Sequence, residues 1–426
     1  MVHSKPGDDA LRARVPKAKG LSLNSGRPPQ WTSSVGLFTA FAGLGGTASV
    51  IPAIIPLTAH NSNASLSEYL GVAPALFFGL MAGVLLSAIL LRATSARAVL
   101  CAGSVLQAAA LIAIALAPDR SAFGMWASAA GVGFGLCEAS GSVLARVVAG
   151  DRAARLLSAL TGTVALVAAA GPLFIVSGIL GASPAPLLAS TALVHVATVL
   201  FQFLGPKRHL GEHADRGIRT RAPAPAPSIS WVLLLAPVAA ALFIYVGIET
   251  IFAGWSAVIA AEALALDPRT AAAGTSVFWV LMAAGRYAAW FTLKSSVTPS
   301  ALLAFTCTLA AVCFAGAGIL RQEQPAVALV ATGVAIAGLG PTYSLVLGIG
   351  LSRIEVHDAK KAVGLLVACG AAGGAGIPAA LLTVTPHPGA PWVLVTSALL
   401  TALIAPLIFH KTPRPPERPA ENKARQ

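Results

Sequence analysis

Residues 205–230 read GPKRHLGEHADRGIRTRAPAPAPSIS, a basic, proline-rich segment with no apolar periodicity. What flanks it decides the fold. Toward the N-terminus, long apolar stretches fall at about residues 184–204, 156–180, 122–146, 98–117, 68–91 and 34–59. Toward the C-terminus, six more fall at about 231–261, 270–293, 299–320, 326–351, 362–384 and 390–410. Roughly 20 apolar residues at 1.5 Å rise cross a hydrocarbon core of about 30 Å. The pattern predicts an all-α polytopic membrane protein with 12 transmembrane helices in two six-helix bundles. The expected organisation is a basic tail (1–33), an N-terminal bundle (34–204), a cytoplasmic linker (205–230), a C-terminal bundle (231–410) and a second basic tail (411–426).

Composition points the same way. The 426 residues are 56% hydrophobic and 11% charged, with a mean hydropathy of +0.78. A soluble domain carries roughly 25% charge. The net charge of +13 invites a nucleic-acid reading, but the placement of the charges excludes it. Only Arg120, Arg269 and Arg321 fall on the predicted outer side, and Arg286 lies within a span. Every other Lys and Arg falls in a tail, in the linker or in a loop on the linker's side. Retention of positive charge on the cytoplasmic side accounts for this, and it places both termini in the cytoplasm of an inner (plasma) membrane protein. The first apolar run is a full span rather than the short core of a signal peptide, so an uncleaved first helix is expected. Five cysteines (Cys101, Cys137, Cys307, Cys313, Cys369) sit in predicted spans without metal-ligand spacing and read as small packing residues.

The two halves repeat. Gly83-Val-Leu-Leu-Ser-Ala-Ile-Leu-Leu-Arg92 aligns with Gly285-Arg-Tyr-Ala-Ala-Trp-Phe-Thr-Leu-Lys294, and Gly171-Pro172 aligns with Ile377-Pro378. Parallel repeats related by an axis along the membrane normal place a substrate site near the midplane between the halves. Over about residues 34–410 the chain resembles the major facilitator superfamily of transporters. The basic turn Arg92…Arg97 resembles that superfamily's GxxxDRxGRR loop, with Ser87 for its glycine and Leu91 for its aspartate. A narrower likeness is to the fucose-permease and sodium-dependent-glucose-transporter branch. It is carried by Tyr245-Val-Gly-Ile-Glu249, Gly254-Trp255, Phe278-Trp279 and Gly285-Arg286, by Gly135-Leu-Cys-Glu138-Ala-Ser-Gly-Ser142, and by the proline-broken Gly338-Leu-Gly-Pro-Thr-Tyr-Ser344.

Glu138 and Glu249 are the acids deep in the spans, one in each half. A carboxylate at that depth costs roughly 2.5–3.5 kcal/mol on insertion scales, so it is expected to face a cavity or a partner. An acid that meets water alternately from two sides can load and release a proton. The branch resemblance implies that role for Glu138. The partner acid of that branch on the first helix is missing, where Thr39, Thr47 and Ser49 stand instead. Permanent protonation with a hydrogen bond to a neighbouring helix is the alternative for each acid. Gating falls to Arg92, Arg97 and Arg286, although Arg286 could instead snorkel to the interface. Tyr245, Trp279, Tyr343, Gln107, Gln202 and Ser142 are the candidate substrate contacts. Trp255 lies near the outer interface, and His195 more plausibly bonds a backbone carbonyl than couples ions.

The expected function is secondary active transport of a small organic solute by alternating access, sugar-like and driven by protons, with sodium as the alternative ion. The resemblance implies a monomer in the lipid bilayer. Few amide groups in the spans weigh against a polyhydroxylated ligand. A proton-driven exporter of an amphipathic or cationic drug or metabolite is the second reading, favoured by the partial antiporter motif Gly162-x8-Gly171-Pro172. A non-transporting sensor is a remote third. No HExxH, GxSxG or P-loop lysine occurs, so an enzyme or a bound cofactor is not expected.

Overall fold

A computed structural model describes residues 31–116, 120–149, 153–179, 183–204, 229–293, 297–354 and 356–409. The expected tails and most of the linker lie outside these residues. Within them the chain is helical except for short turns, and the five cysteines are free. The described residues from Thr32 onward form one compact unit, so the two bundles pack on one another rather than standing apart.

The first half comprises α1 (Trp31–Ala53), α2 (Ile55–Asn61), α3 (Val72–Ala93), α4 (Ala96–Leu116), α5 (Arg120–Ala149), α6 (Ala153–Ser177) and α7 (Ala185–Leu204). The second half comprises α8 (Ile229–Leu264), α9 (Pro268–Ala271), α10 (Ala273–Thr292), α11 (Pro299–Leu320), α12 (Pro325–Leu339), α13 (Thr342–Leu351), α14 (Val356–Leu382) and α15 (Pro391–Phe409). The first expected span is a broken one: Pro52 and Pro56 flank Ile54, where α1 gives way to α2. The tenth is broken at Gly340-Pro341, between α12 and α13.

Eleven helical segments are long and apolar enough to cross a membrane. The expected twelfth, α10, is formed over 20 residues but is less apolar than the others. Arg286, Thr275, Ser276 and two glycines dilute its hydrophobicity. The chain is thus a multi-pass integral membrane protein with this one polar helix in its second half. α8, at 36 residues, is about 54 Å long and overruns a bilayer core.

Local chemistry sets the helix ends. Thr298 caps α11 by accepting from Ala301 N at 3.2 Å, with Pro299 in the first turn. Asp267 Oδ1 accepts from Arg269 N and Thr270 N at 3.0 and 3.1 Å to start α9. The Thr270 hydroxyl, with those amides, holds the exposed Asp267 carboxyl below the usual range. α6 stops at Gly178, which takes the left-handed conformation at φ 67°, and α8 stops at Ala265, an alanine at φ 49°.

Glycines weld the helices of each half. Gly79 and Gly83 on α3 face the Ser128 and Val132 carbonyls of α5, while Gly131 and Gly135 on α5 face the Leu76 and Leu80 carbonyls in return. A Cβ at any of the four would strike backbone. Without a hydrophobic drive between helices in lipid, such close approach supplies the packing energy. Gly285 on α10 meets the Ala337 carbonyl of α12, and Gly373 on α14 meets Phe243 backbone on α8.

Between the halves, α3 packs on α14 and α6 on α10. At the end remote from the start of α1, α9 packs on α2 and α6. There the Trp255 indole of α8 donates to Leu70 O, just before α3, at 3.0 Å, and Gly254 lies against Ala73.

Candidate functional site

The fold brings the two deep acids within electrostatic reach of each other, and Tyr343 of α13 interacts with both. Their surroundings differ.

Glu138 lies on α5 one turn beyond the Gly135 weld, half-buried. It has no hydrogen-bond or ion-pair partner among the described residues, and Glu249 and Tyr343 are its electrostatic neighbours. Ser142 follows one turn later on the same face and is also half-buried.

Glu249 lies on α8 in a denser cluster. Its Oε1 is 3.4 Å from Arg286 Nη2 of α10, with 18% of the Glu249 side chain and 40% of the Arg286 side chain accessible. Arg286 Nε also donates to Gly340 O at 3.2 Å. That carbonyl is available because the helix breaks here and the next one opens with Leu345 N donating to Pro341 O, which leaves Gly340 O without a backbone donor. Gly340 itself is needed where it stands, since a Cβ there would meet the Met282 carbonyl at 2.6 Å. Arg286 is therefore held across the interior toward the acid. Tyr245, one turn before Glu249 on α8, is wholly buried. Its hydroxyl lies beside both Glu249 and Arg286 yet forms no hydrogen bond of normal geometry. The Tyr245 and Tyr343 rings meet at 6.1 Å and 47°. Trp279, two turns before Arg286 on α10, packs edge-on to Phe278 at 5.4 Å, and its buried Nε1 has no partner.

The other candidates stand apart from this cluster. Gln107 is sealed between α4 and α5, beside Gly133 and the Cys137 thiol, with both amide atoms unpartnered. The thiol is occupied by Ser104 and Leu100 O instead. Gln202 is buried on α7 against Gly36 of α1. Arg92 is exposed at the end of α3 and Arg97 half-buried at the start of α4, so the basic turn is a tight link between them. His195 is buried between α7 and α1, where its Nε2 pairs with Thr47 Oγ1 at 3.0 Å. Its Nδ1 lies near Gly43 without a hydrogen bond of normal geometry. Trp255 is spent on the contact between the halves.

Two partnerships went unanticipated. The Gly340 carbonyl as a seat for Arg286 follows from the proline break in the sequence. The Tyr245–Glu249 neighbourhood follows from their spacing of one helical turn.

No protein-family model matches the chain, and no curated protein sequence is similar to it. Solved structures are. A D-xylose-proton symporter superposes with a TM-score of 0.72 at 14% identity, over 90% of this chain and 98% of that one. The xylose transporter of E. coli in an inward-open conformation gives 0.72 at 14%, over 92% and 98%. A peptide transporter gives 0.66 at 15%, over 88% and 94%. At such identities the likeness is one of fold: the chain adopts the major facilitator architecture over nearly its whole described length.

Proposed function

We propose that the protein is a secondary transporter that moves a small organic solute by alternating access, with Glu138 as the group that couples transport to protons. The observation that carries this reading is the solitary position of Glu138. It is a half-buried acid deep in one half, unpaired, and within reach of the site in the other half. An isolated carboxyl at membrane depth is stable when protonated and must meet water or a counter-charge to ionise. A rocking motion that changes its surroundings would therefore load or unload a proton. The seal at the Trp255–Leu70 end, which the charge distribution assigns to the outside, fits a state facing the cytoplasm.

The solute expected from the resemblance is sugar-like, and a sugar symporter among the structures of this fold supports it. Aromatic faces at Tyr245, Tyr343 and Trp279 suit its body. Export of an amphipathic cation remains the second reading, because Glu138 is an acid without a cation and the two buried glutamines offer a sugar no amide.

Reconstitution into liposomes tests the coupling. Solute added without a pre-set gradient should alkalinise the medium, and Glu138→Gln should abolish gradient-driven accumulation while sparing exchange. Accumulation unchanged in that variant would remove Glu138 from the coupling role.

A further inference from the structure

We infer that Arg286, Tyr245 and Trp279 form a receptor for an anionic group, and that the solute is a small organic acid, such as an acidic sugar, carried as its carboxylate. This rests on the transporter reading and narrows its substrate class.

Two donors in this half, on α8 and on the face of α10 that carries Arg286, lack a hydrogen bond of normal geometry. The Tyr245 hydroxyl and Trp279 Nε1 are both buried and unpartnered. Such groups are destabilising when left unpaired in a dry interior. Arg286 adds a guanidinium that is fixed at Nε by Gly340 O and 40% accessible. Its single contact with Glu249, at 3.4 Å, lies at the long end of a hydrogen bond and is not a two-pronged pairing. A planar carboxylate matches the guanidinium fork far better. The rings of Tyr245, Tyr343 and Trp279 supply apolar faces for the organic remainder. A neutral polyol would satisfy the donors but leave the guanidinium's charge unused.

Charge then makes the proton obligatory. The charged groups are Glu138 of α5, Glu249 of α8 and Arg286 of α10, with Tyr245 and Tyr343 as the other titratable neighbours. With both acids ionised the cluster holds one negative charge in excess and repels an anion. When Glu249 takes a proton from water, Arg286 loses its intramolecular partner and the excess charge disappears. The fork is then free for the solute's carboxylate. This proton sets the affinity for the anion, while the proton on Glu138 couples its movement to the gradient.

Binding to the purified protein in nanodiscs, without any gradient, tests this apart from transport. The probes are gluconate, glucuronate, lactate and benzoate, with glucose as the neutral control and tetraphenylphosphonium as the cation. Each is titrated at about pH 6 and about pH 8 by tryptophan fluorescence. At least one carboxylate should bind, tightening by up to about tenfold per pH unit on acidification, the limit for one linked proton. Glucose should not compete. Arg286→Gln should abolish binding and Arg286→Lys should weaken it by about tenfold, or 1.4 kcal/mol. Glu249→Gln should retain binding with a flattened pH dependence.

Should Arg286→Gln fail to fold, Tyr245→Phe, which removes no charge, must still weaken the carboxylate. The proposal falls if no carboxylate binds, if glucose binds as well as its acids, or if the Arg286 and Tyr245 variants bind normally. It also falls if the phosphonium alone binds, more tightly as pH rises, and that result would support export. A carboxylate that binds as expected but is not moved in liposomes would overturn the transport reading instead.

Discussion

Glu138 of α5 and Glu249 of α8 are interior acids, one in each half of the chain, yet the fold treats them differently. Glu249 has Arg286 beside it, a tyrosine hydroxyl at hand and a helix break that fixes the arginine. Glu138 has none of these and is backed by glycine-welded helices. The sequence repeat predicts two similar frames, and the difference between them carries the coupling we propose. One half holds a free acid suited to exchanging protons with its surroundings. The other holds a fixed charge pair suited to exchanging partners.

The sharpest way to break this contrast is to neutralise each acid in turn. Glu138→Gln should reduce gradient-driven accumulation to simple equilibration. Glu249→Gln should leave proton-linked uptake measurable, while weakening its dependence on pH. Equal loss in both variants, by flux in liposomes, would mean that the acids act as one unit.

The frames can be tested next. Gly135→Val would drive a side chain into the Leu80 carbonyl, one turn from Glu138, and should cost about 1–3 kcal/mol or more by overpacking. Thermal unfolding in detergent would read this. Gly376 in the second half, where a Cβ would meet only the Phe243 ring at 3.7 Å, should accept alanine nearly without loss.

A smaller effect is expected at the closed end. Trp255→Phe removes the indole bond to Leu70 O and should cost about 1 kcal/mol of contact between the halves. Cysteine-labelling of the outer cavity should rise accordingly, and unchanged labelling would show that the seal lies elsewhere.

The smallest effect concerns two helix ends. α6 stops on Gly178 and α8 on Ala265, both left-handed. Ala265→Gly should relieve about 1 kcal/mol of strain and raise the unfolding temperature, whereas Gly178→Ala should lower it.

Much of this was legible in the sequence. Hydropathy located the spans, and Gly338–Ser344 foretold the break that the structure places at Gly340-Pro341. The helix that fell short of the apolar pattern, α10, is the one that carries Arg286, so the departure from the rule marks the helix of the proposed receptor. What could not be read was helix rotation. Gln107 and Gln202 were nominated for their polarity and depth, but each is turned into a seam between helices. A membrane helix is apolar nearly all round, so its sequence specifies how deep a residue sits and says little about which way it points. For the same reason Arg286 could be read as snorkelling until α8 and α13 were seen around it.

The Trp255–Leu70 bond has one further consequence. Its donor is an indole and its acceptor a main-chain carbonyl, so neither partner titrates and neither is screened by salt. Acidity and ionic strength therefore have no direct purchase on this latch. Charged pairs stand at the same end, Glu68 with Arg120 at 3.7 Å and Glu262 with His387 at 3.4 Å, so salt acts on this end of the molecule through them and not through the indole bond. The indole bond is the part of this contact that salinity leaves untouched.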